Sequence, residues 1–421
     1  MTTLKIDADF QNKLTESIIR LLDYCQTNNW AGYDPFDGLN SRIFKRLPFL
    51  QNRICRLIFI QSMKRSPVNF RHIFLVPKTQ NPKAIALFLM AFLKLKKLGL
   101  LQDENLITLM TQKLIDLRSP TNSNNSSNST NPINSSNPYW CWGYNFDWQS
   151  RGFFLPKFSP NIICTTFAGN ALIDAYHKFA DEKYLDMAIS AGNFLLKGLN
   201  ISKNKNELCF SYTTLDSSKV HNANLLGAAF LSRLYSITQE KKFLEPASSA
   251  VQFSIRRQHE DGSWPYGEDK TQQWIDNFHT GYNLCALKKI SHYLDTKEYE
   301  SNIRRGFEFY RNHFFREDAA PKYFNNRTYP VDIHSVAQSI ITLSTFRDLD
   351  ENNIKLARSV YEWAMANMLD EQGYFYYQVT PYYKNKISYM RWSQAWMLYA
   401  LAIFAQALST EASSHPDNVA L

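Results

Sequence analysis

Apolar residues recur at helical spacing along this chain in two alternating sets. The less polar set comprises "NPKAIALFLMAFLKL", "NALIDAYHKFA", "LLGAAFLSRLYS", "NLCALKKISHYL", "AQSIITLSTF" and "SQAWMLYALAIFAQAL". Between them run segments such as "FQNKLTESIIRLLDYCQ", "EKYLDMAISAGNFLLKGL" and "KEYESNIRRGFEFYRNHF", which carry more charge, as helices with one wet face do. Small or polar residues mark the starts of five members of the first set: Gly169, Gly227, Gly281, Ala337 and Ser393, spaced by 58, 54, 56 and 56. A fixed period of this length marks a repeated helical hairpin. The first member opens at Pro82, a residue tolerated at a helix start. It precedes Gly169 by 87 positions, and removing a 20-residue Asn/Ser-rich tract, Ser119 to Pro138, brings this nearer the common period. Six apolar helices alternating with six amphipathic ones predict an all-α fold, an (α/α)6 toroid of inner and outer helices. We expect one domain over residues 1–421, with the tract at 119–138 as a flexible insertion.

The connections are unequal. Inner-to-outer links are short, such as "ITQE" and "LDTKE", whereas outer-to-inner links are long and rich in Trp, Tyr, Asp, Gly and Arg. In a closed ring the long links share one end, above the N-termini of the inner helices, and long loops on a rigid scaffold are where function sits. Converging helix N-termini also favour an anionic ligand there.

Three long links end in a near-repeat, "VHNAN", "IDNFH" and "VDIHS", which places His221, His279 and His334 at related helix entrances. Asp276 and Asp332 precede two of them. An Asp at a helix start caps it, but capping explains neither the histidines nor the flanking aromatics. Neighbouring hairpins stand about 8–10 Å apart, too wide for shared metal ligation, so no metal or cofactor is expected. Paired carboxylates with aromatic platforms suit sugar chemistry, one carboxyl as acid and a second as base or nucleophile. The catalytic candidates are Asp147, Asp276, His279, Asp332 and His334, with Asp37 behind them. The candidates for binding substrate are Trp148, Arg151, Tyr212, His221, Trp264, Tyr266, Tyr323, Tyr389, Arg391 and Trp392. Arginine can grip a uronate carboxylate bidentately. Tyrosine and histidine could instead move a proton at a sugar carbon, giving epimerase or lyase chemistry.

Composition narrows this further. Apolar residues form 44% and aromatics 14% of 421 residues, ample for a large core. The formal net charge of +9 suits an anionic ligand. Nucleic-acid binding needs basic residues gathered into a patch with a recognisable motif, and neither is found, so no nucleic-acid partner is expected. The six cysteines are scattered without C-x-x-C and read as buried hydrophobes. The N-terminus has no signal-peptide core. The longest apolar stretch, "AIALFLMAFLKLKKLGLL", is too short and too charged to span a bilayer. A cytoplasmic location is expected. The expected partners are a saccharide or polysaccharide precursor and, beyond it, polysaccharide-assembly proteins, with a non-catalytic glycan-binding scaffold as the alternative to an enzyme.

The period and the "DGxW" loop resemble the six-hairpin glycosidase-like superfamily. More narrowly, "CWGYNFDWQSR", "VHNANLLGAA", "DGSWPYGE", "WIDNFHTGY", "YPVDIHSVAQ" and "YMRWSQAWMLYAL" resemble a bacterial VpsJ-like family associated with surface-polysaccharide biosynthesis. Relatives sometimes carry the label delta-aminolevulinic acid dehydratase, a β/α barrel whose alternating strands this sequence lacks. "FSIRRQHEDGSW" is similar to the QW motif of squalene–hopene cyclases, where Gln and Trp brace helix ends; the D-x-D-D acid motif of those cyclases is absent. A looser likeness, in residue types alone, is to the helical domain of glucuronyl C5-epimerases.

Overall fold

A computed structural model describes residues 8–120, 138–150 and 154–412. In chain order its helices are α1 (Ala8–Thr27), α2 (Arg42–Lys45), α3 (Arg53–Arg65), α4 (Pro82–Lys97), α5 (Asn105–Asp116), α6 (Ile162–Phe179) and α7 (Glu182–Lys197). There follow α8 (His221–Thr238), α9 (Lys241–Ile255), α10 (Asn277–Tyr293), α11 (Glu300–His313), α12 (Ile333–Thr345), α13 (Asn352–Met368) and α14 (Trp396–Ala412). The even-numbered helices from α4 to α14 form the inner ring. Each packs on the next, and α14 packs back on α4 to close the circle. The outer partners of α4 to α12 follow directly in sequence, but the outer partner of α14 is α1, from the other end of the chain. The expected toroid is therefore formed. Most of the inserted Asn/Ser tract, 121–137, lies outside the described residues.

The local causes are legible. Helix α4 is buried along nearly its whole length, as an inner helix must be. Helix α11 buries only one stripe, Ile303, Gly306, Phe307, Phe309 and Tyr310. The repeated small residues let inner helices approach: a Cβ on Gly169 would come within 2.3 Å of the Phe230 ring, and one on Gly281 within 2.7 Å of Gln338 Cγ. Asn81, Asn161, Asp276 and Asp332 cap α4, α6, α10 and α12, each accepting a backbone N–H of the first turn. The QW-like segment is a brace. The Gln258 amide donates to the carbonyls of Gly262 and Asn302, and the Trp264 indole donates to Ser254 O at 2.9 Å.

The long links gather at the entrance of the inner helices, with short antiparallel ladders. These are β1 (Trp148–Gln149) with β2 (Phe154–Leu155), β3 (Ile201–Asn204) with β4 (Glu207–Phe210), and a sheet of β5 (Val331–Asp332), β6 (Gln378–Val379) and β7 (Lys384–Asn385). Asp332 pairs in register with Gln378, which brings the links before α12 and α14 together. A widened π-helical turn, Met390–Ala395, leads into α14 and carries Arg391 and Trp392. The axis below is a cavity lined from all six inner helices, by Met90, Phe167, Arg233, Tyr282, Gln338 and Tyr399 among others.

Candidate active site

Aromatic side chains from successive links form a collar around the axis. Tyr266 meets His279 at 4.6 Å between ring centroids, and His279 meets Phe278 at 4.2 Å. Phe278 then meets Trp392 at 5.6 Å, Trp392 meets Phe36 at 5.6 Å, and Phe36 meets Trp148 at 6.4 Å. Trp148 lies 6.1 Å from Tyr212, whose hydroxyl bonds that of Tyr144 at 2.9 Å. Tyr323 joins from the α12 link, 5.5 Å from Phe278. Burial pushes the Tyr212, Tyr266 and Tyr323 hydroxyls well above their ordinary pKa, so they stay protonated.

Within the collar, Asp276 and His279 form a dyad. Asp276 Oδ1 accepts His279 N at 3.0 Å, while Oδ2 accepts His279 Nδ1 at 2.7 Å and the Trp274 indole at 2.9 Å. An ionised carboxylate can only accept, so it fixes the proton on Nδ1 and leaves Nε2 as a bare base. The imidazole keeps 21% of its side-chain surface, whereas the Asp276 carboxylate has none. Among the described residues Nε2 has no hydrogen-bond partner.

Asp332 sits one hairpin later and is fully buried. It accepts His334 N at 2.8 Å and Trp392 Nε1 at 2.9 Å on Oδ1, and Gln378 Nε2 at 2.7 Å on Oδ2. Burial raises its pKa to about 6 despite these donors. His334 turns into the axis, bonds the Tyr282 hydroxyl through Nε2, and lies 4.4 Å from Trp392 and 4.7 Å from Trp396. Desolvation holds its pKa well below the ordinary value, so it is neutral.

Cations stand beside and behind the collar. Arg391 grips Asp34 with two bonds, Nε to Oδ2 at 2.5 Å and Nη2 to Oδ1 at 2.9 Å. Arg71, wholly buried, pairs with Asp37 at 2.6 Å and donates to the Tyr389 hydroxyl at 3.0 Å. Burial raises the Asp37 pKa to about 6. Lys83 Nζ lies 4.6 Å from the Phe167 ring and 4.9 Å from that of Trp396, and burial lowers its pKa to about 7. Half-buried Lys64 stands 4.5 Å over the Phe36 ring.

The structure thus brings together Asp276, His279, Asp332, His334, Trp148, Tyr212, Tyr266, Tyr323, Arg391 and Trp392. Four expected residues sit elsewhere. His221 has no exposed surface and is held between Ser254 at 3.3 Å and Glu268 at 2.9 Å. Trp264 is part of the brace described above. Tyr389 is fully buried against Arg71. Asp147 points to the rim, paired with Lys45 at 2.9 Å and accepting Lys157 N at 2.8 Å. Arg151 lies outside the described residues. Asp34, Phe36, Lys64, Arg71, Lys83 and Tyr144 had not been anticipated. No group of three His, Cys, Asp or Glu able to hold a metal occurs among the described residues.

No protein-family model matches this chain, and no curated protein matches it. Solved structures do. Cellobiose 2-epimerase from Bacillus thermoamylovorans B4167 is 12% identical with a TM-score of 0.59, covering 77% of this chain and 87% of that one. A D-mannose isomerase is 13% identical with a TM-score of 0.58, covering 78% and 87%. An unsaturated glucuronyl hydrolase specific for heparin is 12% identical with a TM-score of 0.59, covering 96% and 99%. At these identities the likeness defines the fold alone, an (α/α)6 toroid.

Proposed function

We propose that this protein is a carbohydrate-active enzyme that moves a proton at a sugar carbon, as an epimerase or isomerase does, with His279 as the base. The observation that carries this reading is the Asp276–His279 dyad, whose partly exposed imidazole stands within the aromatic collar with Nε2 unpartnered among the described residues. His279 Nε2 takes the proton from a carbon beside the substrate carbonyl. Negative charge then develops on the carbonyl oxygen, where Arg391, Lys64 and Lys83 supply positive potential. Return of the proton from the imidazolium to the former carbonyl carbon, with the hydroxyl proton of the deprotonated carbon passing to the former carbonyl oxygen, gives the ketose. Return to the deprotonated carbon after the enediolate has turned its opposite face to His279 gives the epimer. The collar stacks on the sugar ring, and the cations favour an anionic sugar.

Hydrolysis by a carboxylate pair has less support. Asp276 and Asp332 are buried caps whose oxygens already accept donors, and Asp147 is tied to Lys45 at the rim. An epimerase and an isomerase among the similar structures agree with the proton-transfer reading, and the resemblance to the VpsJ-like family suggests a precursor of surface polysaccharide as the substrate. A cytoplasmic location and partners in polysaccharide assembly remain part of this proposal.

The test is a set of reducing sugars, uronates included, incubated with the protein in D2O and followed by proton NMR. Deuterium should enter at C2 or at the carbon beside a carboxylate, and His279→Ala should abolish it. Cleavage without deuterium uptake would overturn the reading in favour of hydrolysis.

A further inference from the structure

The first long link carries more than the site residues Asp34, Phe36 and Lys64. From Gly38 to Gln102 the sequence contains no Asp or Glu. The part of that run before α4 holds nine basic residues: Arg42, Lys45, Arg46, Arg53, Arg56, Lys64, Arg65, Arg71 and Lys78. The net charge of the whole chain is also +9, so everything outside residues 38–81 sums to zero. The basic residues are therefore gathered, contrary to the expectation drawn from composition.

Apolar exposure is concentrated in the same place. Of the fifteen large apolar residues exposed among the described residues, eight lie between Ile43 and Leu75. Phe49 is 73% exposed, Ile54 68%, Ile73 66% and Ile58 61%. Ile54 and Ile58 are four apart on α3 and so share its outer face. They are not on a loose tail. Phe44 stacks on Phe59 at 4.4 Å, Phe59 meets Phe74 at 5.1 Å, and Ser41 Oγ donates to Phe74 O at 2.6 Å. Arg71 and Lys45 are used in ion pairs with Asp37 and Asp147. Arg42, Arg46, Arg53, Arg65 and Lys78 stand exposed among the apolar side chains.

We propose that residues 42–75 form a docking surface for an anionic lipid bilayer. Apolar side chains interleaved with cations, on a rigid platform, match the boundary between headgroups and acyl chains. A nucleic acid would use the cations and leave Phe49, Ile54, Ile58 and Ile73 in water. No helix among the described residues is long and apolar enough to cross a membrane, so the contact is peripheral. The inference stands apart from the sugar chemistry, because the exposed side chains it rests on do not include Lys64 or Arg71, which turn inward.

The test is co-sedimentation of the full chain with phosphatidylcholine vesicles, with and without phosphatidylglycerol, at low and high salt. Binding is expected only with phosphatidylglycerol and should weaken with salt. Ile54→Glu/Ile58→Glu should weaken it by about tenfold or more, and Arg42→Glu/Arg46→Glu by about fivefold for each cation removed. Both pairs are exposed, so melting curves of the variants should match the parent. No binding to anionic vesicles, or binding untouched by both variants, would overturn the proposal. So would a dimer abolished by Ile54→Glu/Ile58→Glu, or oligonucleotide binding that survives it.

Discussion

The entrances of α10 and α12 begin from nearly the same sequence and end in different chemistry. In "IDNFH" the histidine is three residues after the capping Asp; in "VDIH" it is two. One residue is about 100° of helix rotation. At the first entrance that phase lets Asp276 hold both the backbone and the ring of His279, leaving Nε2 unpartnered among the described residues. At the second, Asp332 holds only the backbone of His334, and the ring swings into the axis against Tyr282 and Trp396. A near-repeat thus separates into a candidate base and a packing element. The difference is made by spacing and not by residue type.

The largest expected effect tests the first entrance. His279→Ala should lower kcat by about a thousandfold with an unchanged melting temperature, while Asp276→Asn, which keeps a cap but loses the charge that fixes the tautomer, should lower it by about a hundredfold. The second entrance should respond in stability. Asp332→Ala strands the indole of Trp392 and the backbone N–H of His334, and urea unfolding should reveal a loss of about 3 kcal/mol or more.

A pH series sharpens the contrast. The Asp332 pKa is raised by folding to about 6. Between its ordinary value and about 6 the folded state therefore holds more proton than the unfolded chain, and the Asp332 contribution to stability falls as pH rises through that window. Asp332→Asn should gain about 1–3 kcal/mol on the parent between pH 4 and pH 7. His334 acts in the opposite sense. Its depressed pKa gives stability that is present above about 6.5 and lost as pH falls below it. The smallest effect belongs to the rim. Asp147→Asn breaks only a partly exposed pair with Lys45 and should change stability by less than about 1 kcal/mol, with kcat essentially unaltered.

The ring could be read from the sequence because its cause is periodic. Hairpins repeat, inner helices lack a polar stripe, and Gly169 and Gly281 recur where neighbouring inner helices meet. The site could be read only in part. His221 and Trp264 occupy link positions like those of real collar members, yet backbone path and helix phase send them inward, and neither leaves a mark in composition. The Arg391–Asp34 pair joins residues 357 positions apart, beyond any local pattern. The basic run before α4 did leave a signal, but a chain-wide net charge averages it away.

Closure of the ring by α1 and α14 has a consequence for the timing of synthesis. Ser17 of α1 meets the Tyr361 hydroxyl at 2.8 Å, and Phe10 lies 6.0 Å from the Phe404 ring, so α1 finds its cover in segments made 344 residues or more later. At ribosomal rates of about 5–20 residues per second, α1 waits on the order of 20–70 s for α14. The turn bearing Arg391 and Trp392 emerges just before that closure. A nascent chain that has not yet made residues 390–395 therefore lacks Arg391, the anchor of Asp34, and Trp392 of the collar, so the proposed site is incomplete until then.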